Sequence, residues 1–344
     1  MIFDPILDLF RGKAITIPPL DGALRPNTAL DDAAVVAGLP SPDNLVWLDG
    51  RPVCSSGAAV IALEHGHPRQ IAEFPAEVTA LAVSPEGKLA VATDDGRLSE
   101  GGHEVPLPGG IGCITALAYG PDGALWLANG SARHPASGWV ADLMEHGSTG
   151  SVWRRLPGQE FHKVAGGLAW PNGLLPDPAG VIVSESWKHQ LIRIEGSRVT
   201  PVLRHLPGYP ARLSPSADGC AWLAVFAPRT RLIEFVLQEK HYRTDMMAEV
   251  PRDYWIAPAL RSGQSFLEPL QCGSIRSMGI HKGWSPSRSY GLVVKLAPDF
   301  APVASLHSRA NGHRHGVASV IEAGGQVLIA SRGGDAVLSV GGEA

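Results

Sequence analysis

The chain is poor in charge, in cysteine and in long apolar runs. Charged residues make up 18% of its 344 residues and the net charge is −4, with no basic run, which argues against a nucleic-acid partner. Low charge does not mean disorder here, because 44% of the residues are hydrophobic and can fill a core. The four cysteines, Cys54, Cys113, Cys220 and Cys272, lie far apart with no C-x-x-C pair. They offer neither a disulfide framework nor a zinc motif and read as reduced core thiols. No window reaches the length of a membrane span. The opening MIFDPILDLFRGK carries acidic residues where a secretory leader carries positive charge, so the expected location is cytoplasmic. Residues 1–12 read as a short helical segment that packs on the outside of the domain or docks to a partner or membrane surface. A G-x-S-x-G elbow, a P-loop and a Rossmann fingerprint are all missing, so a serine hydrolase or nucleotide enzyme would lack its usual signature.

What the chain has in quantity is Gly (40) and Pro (29), the residues of tight turns, and a repeat. VTALAVSPEGKLAVAT, ITALAYGPDGALWLAN, LAWPNGLLPDPAGVIVSES, YPARLSPSADGCAWLAV and VASVIEAGGQVLIAS each run from an apolar strand through a glycine turn into a second apolar strand. Short strands repeated at blade-like spacing predict an all-β fold, a six-bladed β-propeller with four-stranded blades, occupying residues 13–344 as a single domain. Two segments break the spacing and are expected as inserted lid loops, one over 131–150 and one around 252–287. Ring closure is expected from Ala14–Pro18 pairing near Ala336–Val340. Short helices are expected over 31–37 and 140–145.

The stretch LAWPNGLLPDPAGVIVSESWKHQLIRIEG followed by LPGYPARLSPSADGCAWLAV resembles the strictosidine synthase-like proteins, of the six-bladed superfamily that includes gluconolactonases, senescence-marker proteins and paraoxonases. The residues that carry it are Asn172-Gly173, Glu185, Arg193-Ile194, Leu206 to Pro210, Asp218-Gly219 and Trp222. The resemblance implies a site at the mouth of the central channel. In hydrolytic relatives a divalent cation such as calcium sits there on hard oxygen ligands. By the resemblance, those ligand positions fall on Asp43, Thr115, Asn172 and Ala211. Only Asp43 and Asn172 keep metal-binding side chains, so the ligand set is incomplete and no cofactor is certain. The glutamate that handles the proton in strictosidine synthases falls on Ala318, which makes that condensation an unfavoured expectation.

Other residues bear on chemistry directly. His313 and His315 in NGHRHG project to one side of a strand and are candidates for a general base or a metal ligand. Arg212 is a candidate to orient an acidic substrate or stabilise an oxyanion. Arg261 and Arg276 are further candidates to fork onto a carboxylate. Thr115, His134, Trp139, Tyr209 and Trp255 are the expected substrate-facing residues. Glu185 and Arg193 read as a cross-strand ion pair, and Asn172-Gly173 as a turn with positive φ in its bland reading. The leading functional expectation is a small-molecule hydrolase of a lactone or ester-type acyl bond. The alternatives are a catalytically silent ligand-binding propeller and a metal-free lyase or C–N/C–C bond-forming enzyme.

Overall fold

The computed structural model describes residues 16–341 except 65–66, 266–267, 269–275, 278–279 and 282–287, with backbone alone at 276, 277, 280 and 281. The expected N-terminal helical segment, 1–12, lies outside the described residues. Six four-stranded antiparallel sheets form the blades. Their inner strands are Pro42–Leu48 (blade I), Val78–Val83 (II), Ile114–Tyr119 (III), Pro171–Asp177 (IV), Gly208–Pro215 (V) and Val317–Ala323 (VI). Each inner strand touches the next, and blade VI touches blade I, so the ring is closed.

Position in the blade explains the sequence of each strand. Inner and second strands are covered by neighbouring blades on both faces and read as near-continuous apolar runs, such as Val78–Val83 and Leu125–Asn129. Outermost strands are the most exposed, as at His67–Glu73 and Arg198–Leu203, and the first of these is mostly polar. The inner hairpins turn at Gly87, Gly123 and Gly219, whose φ values of 80°, 74° and 79° favour glycine.

The closing strand is Ala34–Gly38, not Ala14–Pro18. It pairs with Ala336–Val340 through Ala34↔Ser339, Val35↔Leu338, Ala37↔Val337 and Gly38↔Ala336, while Thr16–Pro18 forms no strand. The same segment overturns the helix expected over 31–37. Val35 and Val36 are β-branched and suit an open sheet edge, and both aspartates before them serve turns. Asp32 accepts a hydrogen bond from Thr28 Oγ1 at 2.6 Å. Asp31 Oδ1 accepts from Ser308 Oγ at 2.8 Å and from the His313 backbone N–H at 2.9 Å.

Both insertions join the second strand of a blade to its third. The first runs from the end of Leu125–Asn129 to Gly150–Arg155 and carries the helix Trp139–Met144, close to the expected 140–145. The second runs from Ala221–Pro228 to Gly291–Leu296, so it begins well before the expected 252. It opens with two helices absent from the sequence reading, Arg231–Gln238 and Lys240–Glu249. Thr230 caps the first, its side chain accepting from the Ile233 N–H. Leu232, Ile233, Val236 and Leu237 from this helix join the core cluster that also holds Trp222 and Val293. Inner strands start at the channel mouth and second strands return to it, so both insertions rise on that face.

Candidate ligand site at the channel mouth

Each inner strand carries a β-bulge near its start. The ladder skips Thr79 in blade II, Thr115 in III, Asn172 in IV and Ala318 in VI. In blades I and V it skips the two residues between Asp43 and Val46 and between Pro210 and Leu213. A bulge removes a residue from the ladder and re-aims its groups. Here all six bulges sit at one level of the ring, and they build a cavity of about 190 Å³. Its floor is Asp43, Thr79, Thr115, Asn172, Arg212 and Ala318, one residue per blade. Its walls add Glu77, Asp94 and Arg332 on one side and Trp139, Trp170 and Phe226 on the other.

The floor is organised around Arg212. Its Nη1 donates to Asp43 Oδ1 at 2.6 Å and to the Ala318 carbonyl at 3.3 Å. Its Nη2 donates to the carbonyls of Thr79 at 2.7 Å and Thr115 at 3.3 Å. Asp43 Oδ2 accepts from Arg332 Nη1 at 3.2 Å, and Arg332 Nη2 bonds Glu77 Oε1. Burial pulls the Arg212 pKa down, Asp43 opposes this and Arg332 adds to it; Arg212 is nonetheless a permanent cation. Burial also acts against the charge on Arg332, but Asp43 and Glu77 outweigh it and raise that pKa.

Against this core of paired charge, polar groups are left for a ligand, among them the side chains of Asn172 and Asp94. Asn172 is half-buried and its carboxamide has no hydrogen bond among the described residues. Asp94 accepts from the Ser137 N–H through Oδ1 at 2.9 Å, and its second oxygen has no partner among the described residues. The aromatic wall is rigid. Trp139 meets Phe226 edge-on at 5.4 Å, Trp170 stacks on Trp187 at 5.1 Å, and the Trp187 indole N–H is held by buried Asp142 at 2.8 Å. The first insertion therefore reaches over the mouth through Ala136, Ser137 and Trp139, and the second contributes Leu260. Arg252 of the second insertion donates to the Ser137 carbonyl at 2.7 Å and ties the two together.

Of the sequence candidates, Asp43, Thr115, Asn172, Arg212 and Trp139 come together in this cavity. Ala211 and Ala318, picked by resemblance as positions that had lost a carboxylate, line it too. The others do not. His315 is buried with both ring nitrogens engaged: Nδ1 bonds Ser289 Oγ and Nε2 the Arg309 carbonyl, each at 2.8 Å. Burial lowers its pKa. His313 is exposed on the same turn. His134 pairs with Glu145 at 3.0 Å and faces a neighbouring cleft. Tyr209 is fully buried behind the wall, edge-on to Trp187. Trp255 is buried with its indole N–H on the Val250 carbonyl. Arg261 pairs with Asp335, and the Arg276 side chain is outside the described residues.

Two smaller expectations are also corrected. Glu185 does not pair with Arg193; it accepts from the Ala169 N–H, Lys188 and Gln190, while Arg193 pairs with Asp177 at 2.5 Å. Neither Asn172 nor Gly173 has positive φ; Trp170 does, at 57°. Gly173 is required for close approach, since a Cβ there would lie 2.3 Å from the Ala211 carbonyl oxygen and 2.9 Å from Arg212 Cα. Glu77, Asp94 and Arg332 were missed from the sequence because they stand at strand ends, outside the inner-strand motif.

With this geometry in place, the chain can be compared with known proteins. No family model matches it, and no curated protein matches it by sequence. Solved structures do. A gluconolactonase from Xanthomonas campestris superposes with a TM-score of 0.55 at 14% identity, covering 95% of each chain. Regucalcin from Agrobacterium tumefaciens, a calcium-binding protein, superposes with a TM-score of 0.56 at 14% identity, covering 90% of this chain and 93% of that one. The chain is a six-bladed propeller structurally like the gluconolactonases and regucalcin. At this identity the likeness is one of fold, and sites are grafted onto folds independently.

Regucalcin's calcium makes a divalent cation the group to test here. The donor set does not fit one. Both Asp43 oxygens are bonded by arginines, Ala211 offers no side-chain ligand, and the Arg212 guanidinium fills the axis between the inner strands. Among the described residues no cluster of three His, Cys, Asp or Glu side chains can hold a metal.

Proposed function

We propose that this propeller binds a small, uncharged, ring-shaped polar molecule, of the size of a sugar lactone, in the channel-mouth cavity. The observation that carries the reading is the division of the cavity. Its arginines are neutralised by Asp43 and Glu77, which leaves no free cation for an anionic ligand among the described residues that line it. The unpartnered Asn172 amide and the free Asp94 oxygen face an apolar wall of Trp139, Trp170 and Phe226. Polar groups few in number set against an aromatic surface are what orient a ring-shaped ligand, and about 190 Å³ suits a small one. A panel of neutral lactones, polyols and sugars, read by thermal shift, tests this. At least one member is expected to raise the melting temperature of the wild type and not of Asn172→Ala. A flat response to every neutral member, or equal shifts in both proteins, would overturn it.

A second reading, hydrolysis of the bound lactone or ester, is favoured by the position of Asp94. Its unpartnered oxygen lies in the same cavity as the Asn172 amide, where a carboxylate can take a proton from an attacking water. The Xanthomonas campestris neighbour in fold is described as a gluconolactonase. Product formation from a ligand that shifts the melting temperature, abolished in Asp94→Asn with binding retained, is the expected signature. Binding without product would leave the cavity a receptor site.

A further inference from the structure

The bulges that shape the cavity have an electrostatic consequence. A bulged residue leaves the ladder, so its carbonyl oxygen needs another donor. Three such residues, Thr79, Thr115 and Ala318, turn their carbonyls to the channel axis, and beside them stands the carboxylate of Asp43. The result is a ring of oxygens from four blades with negative potential at its centre. In this chain all four oxygens are satisfied by one side chain, from a fifth blade.

We propose that Arg212 is a built-in axial cation, a covalently tethered guanidinium that closes the propeller ring in place of a bound metal ion. A planar guanidinium presents several donors in fixed directions, which a point charge cannot do. Its two Nη atoms reach all four oxygens. The neighbouring residue fits the same design. Ala211 is small and fully buried, and its carbonyl is taken by Ser184 Oγ at 2.7 Å, so nothing at that position competes for the axis. Arg332 completes the balance by holding the second Asp43 oxygen. The channel is thereby sealed below the cavity, and the ring is stabilised whatever calcium concentration surrounds it. This pin is independent of which ligand the cavity takes.

The test is a set of melting curves on the full chain. Arg212→Ala is expected to melt about 5–10 °C below wild type, as when one partner of a buried ion pair is removed. Low-millimolar guanidinium chloride should recover part of that loss in Arg212→Ala and none in wild type, with equal potassium chloride as control. Calcium and EDTA should leave the wild-type curve unmoved. Wild-type stabilisation by calcium that is reversed by EDTA would overturn the proposal, as would an Arg212→Ala protein that melts with wild type or responds to guanidinium as wild type does. If Arg212→Ala does not fold, Arg212→Lys decides: a single ammonium cannot span the four oxygens, so it should melt well below wild type, and a wild-type curve would refute the pin.

Discussion

Replacing Asp43 by alanine probes the charge balance of the site most directly. Asp43 sits between two guanidinium groups, 2.6 Å from Arg212 and 3.2 Å from Arg332, with its side chain only 9% exposed. Without it Arg212 has no ion-pair partner among the described residues and Arg332 keeps only Glu77. Breaking a buried ion pair from one side costs about 3–5 kcal/mol. Arg332 is 30% exposed, so water screens its share and the lower end applies, about 3 kcal/mol. Asp43→Asn keeps the size and one acceptor oxygen but loses the charge, so its cost should be smaller, about 2 kcal/mol. Urea unfolding at neutral pH reads both numbers as shifts in midpoint at an unchanged slope. Because the pair is shielded, the loss should persist at high salt, where a surface pair would lose its value. A cost below about 0.5 kcal/mol for Asp43→Ala, the range of ordinary surface substitutions, would refute the charge balance drawn here, as would an asparagine variant less stable than the alanine one.

Two other perturbations test the scaffold behind the site. Gly173→Ala pushes a methyl group against the Ala211 carbonyl and the Arg212 backbone, where the nearest atoms are main chain and cannot swing away. It should cost about 1–3 kcal/mol by overpacking, and a neutral result in urea would show that blades IV and V separate freely. Acid titration tests two buried histidines. Burial holds His189 near pKa 3 and His307 near 4, from an ordinary 6.5. Between those values the unfolded chain binds more protons than the folded one, so stability falls as pH drops below about 6.5, by up to about 1.4 kcal/mol per pH unit for each histidine. Melting temperatures from pH 7 to pH 5 should therefore decline and the slope flatten in His307→Gln; a pH-independent wild type would contradict the burial.

Repeats made the blades legible, because each strand pair announces itself by an apolar run, a glycine turn and a second apolar run. It was the resemblance, not the repeat, that put site positions on Asp43, Thr115, Asn172, Ala211 and Ala318, and all five line the cavity. What escaped depends on contacts between distant segments. AITIP and AAVVAG are both short β-branched runs, and nothing local says which one reaches the free edge at Ala336–Val340. His-x-His spacing pointed to a base, but the turn is fixed by Asp31, nearly three hundred residues upstream, and Ser289 claims the His315 ring. Glu77, Asp94 and Arg332 had a weak signal: Asp94 and Arg332 directly follow second strands, which end at the mouth in every blade. The helices at 231–249 had a stronger one in Thr230 followed by an amphipathic L-I-x-x-V-L run.

The pairing of Ala211 with Arg212 shows why a motif mapped one residue at a time can mislead. By resemblance, Ala211 is a ligand position without a ligand, so taken alone it reads as damage to a site. Taken with the bulges, Ala211 and Arg212 read as a coherent alternative. A ring of three carbonyls freed from their ladders and one carboxylate needs positive charge at its centre, because unsatisfied buried acceptors are costly. A carboxylate at 211 would recruit that charge from solution, whereas an arginine at 212 carries it on the chain. A carboxylate beside the arginine would then be redundant, since Asp43 already neutralises it and a second anion would have to be desolvated for no partner. An alanine at 211 thus suits an arginine at 212, and the two positions should be exchanged together or not at all.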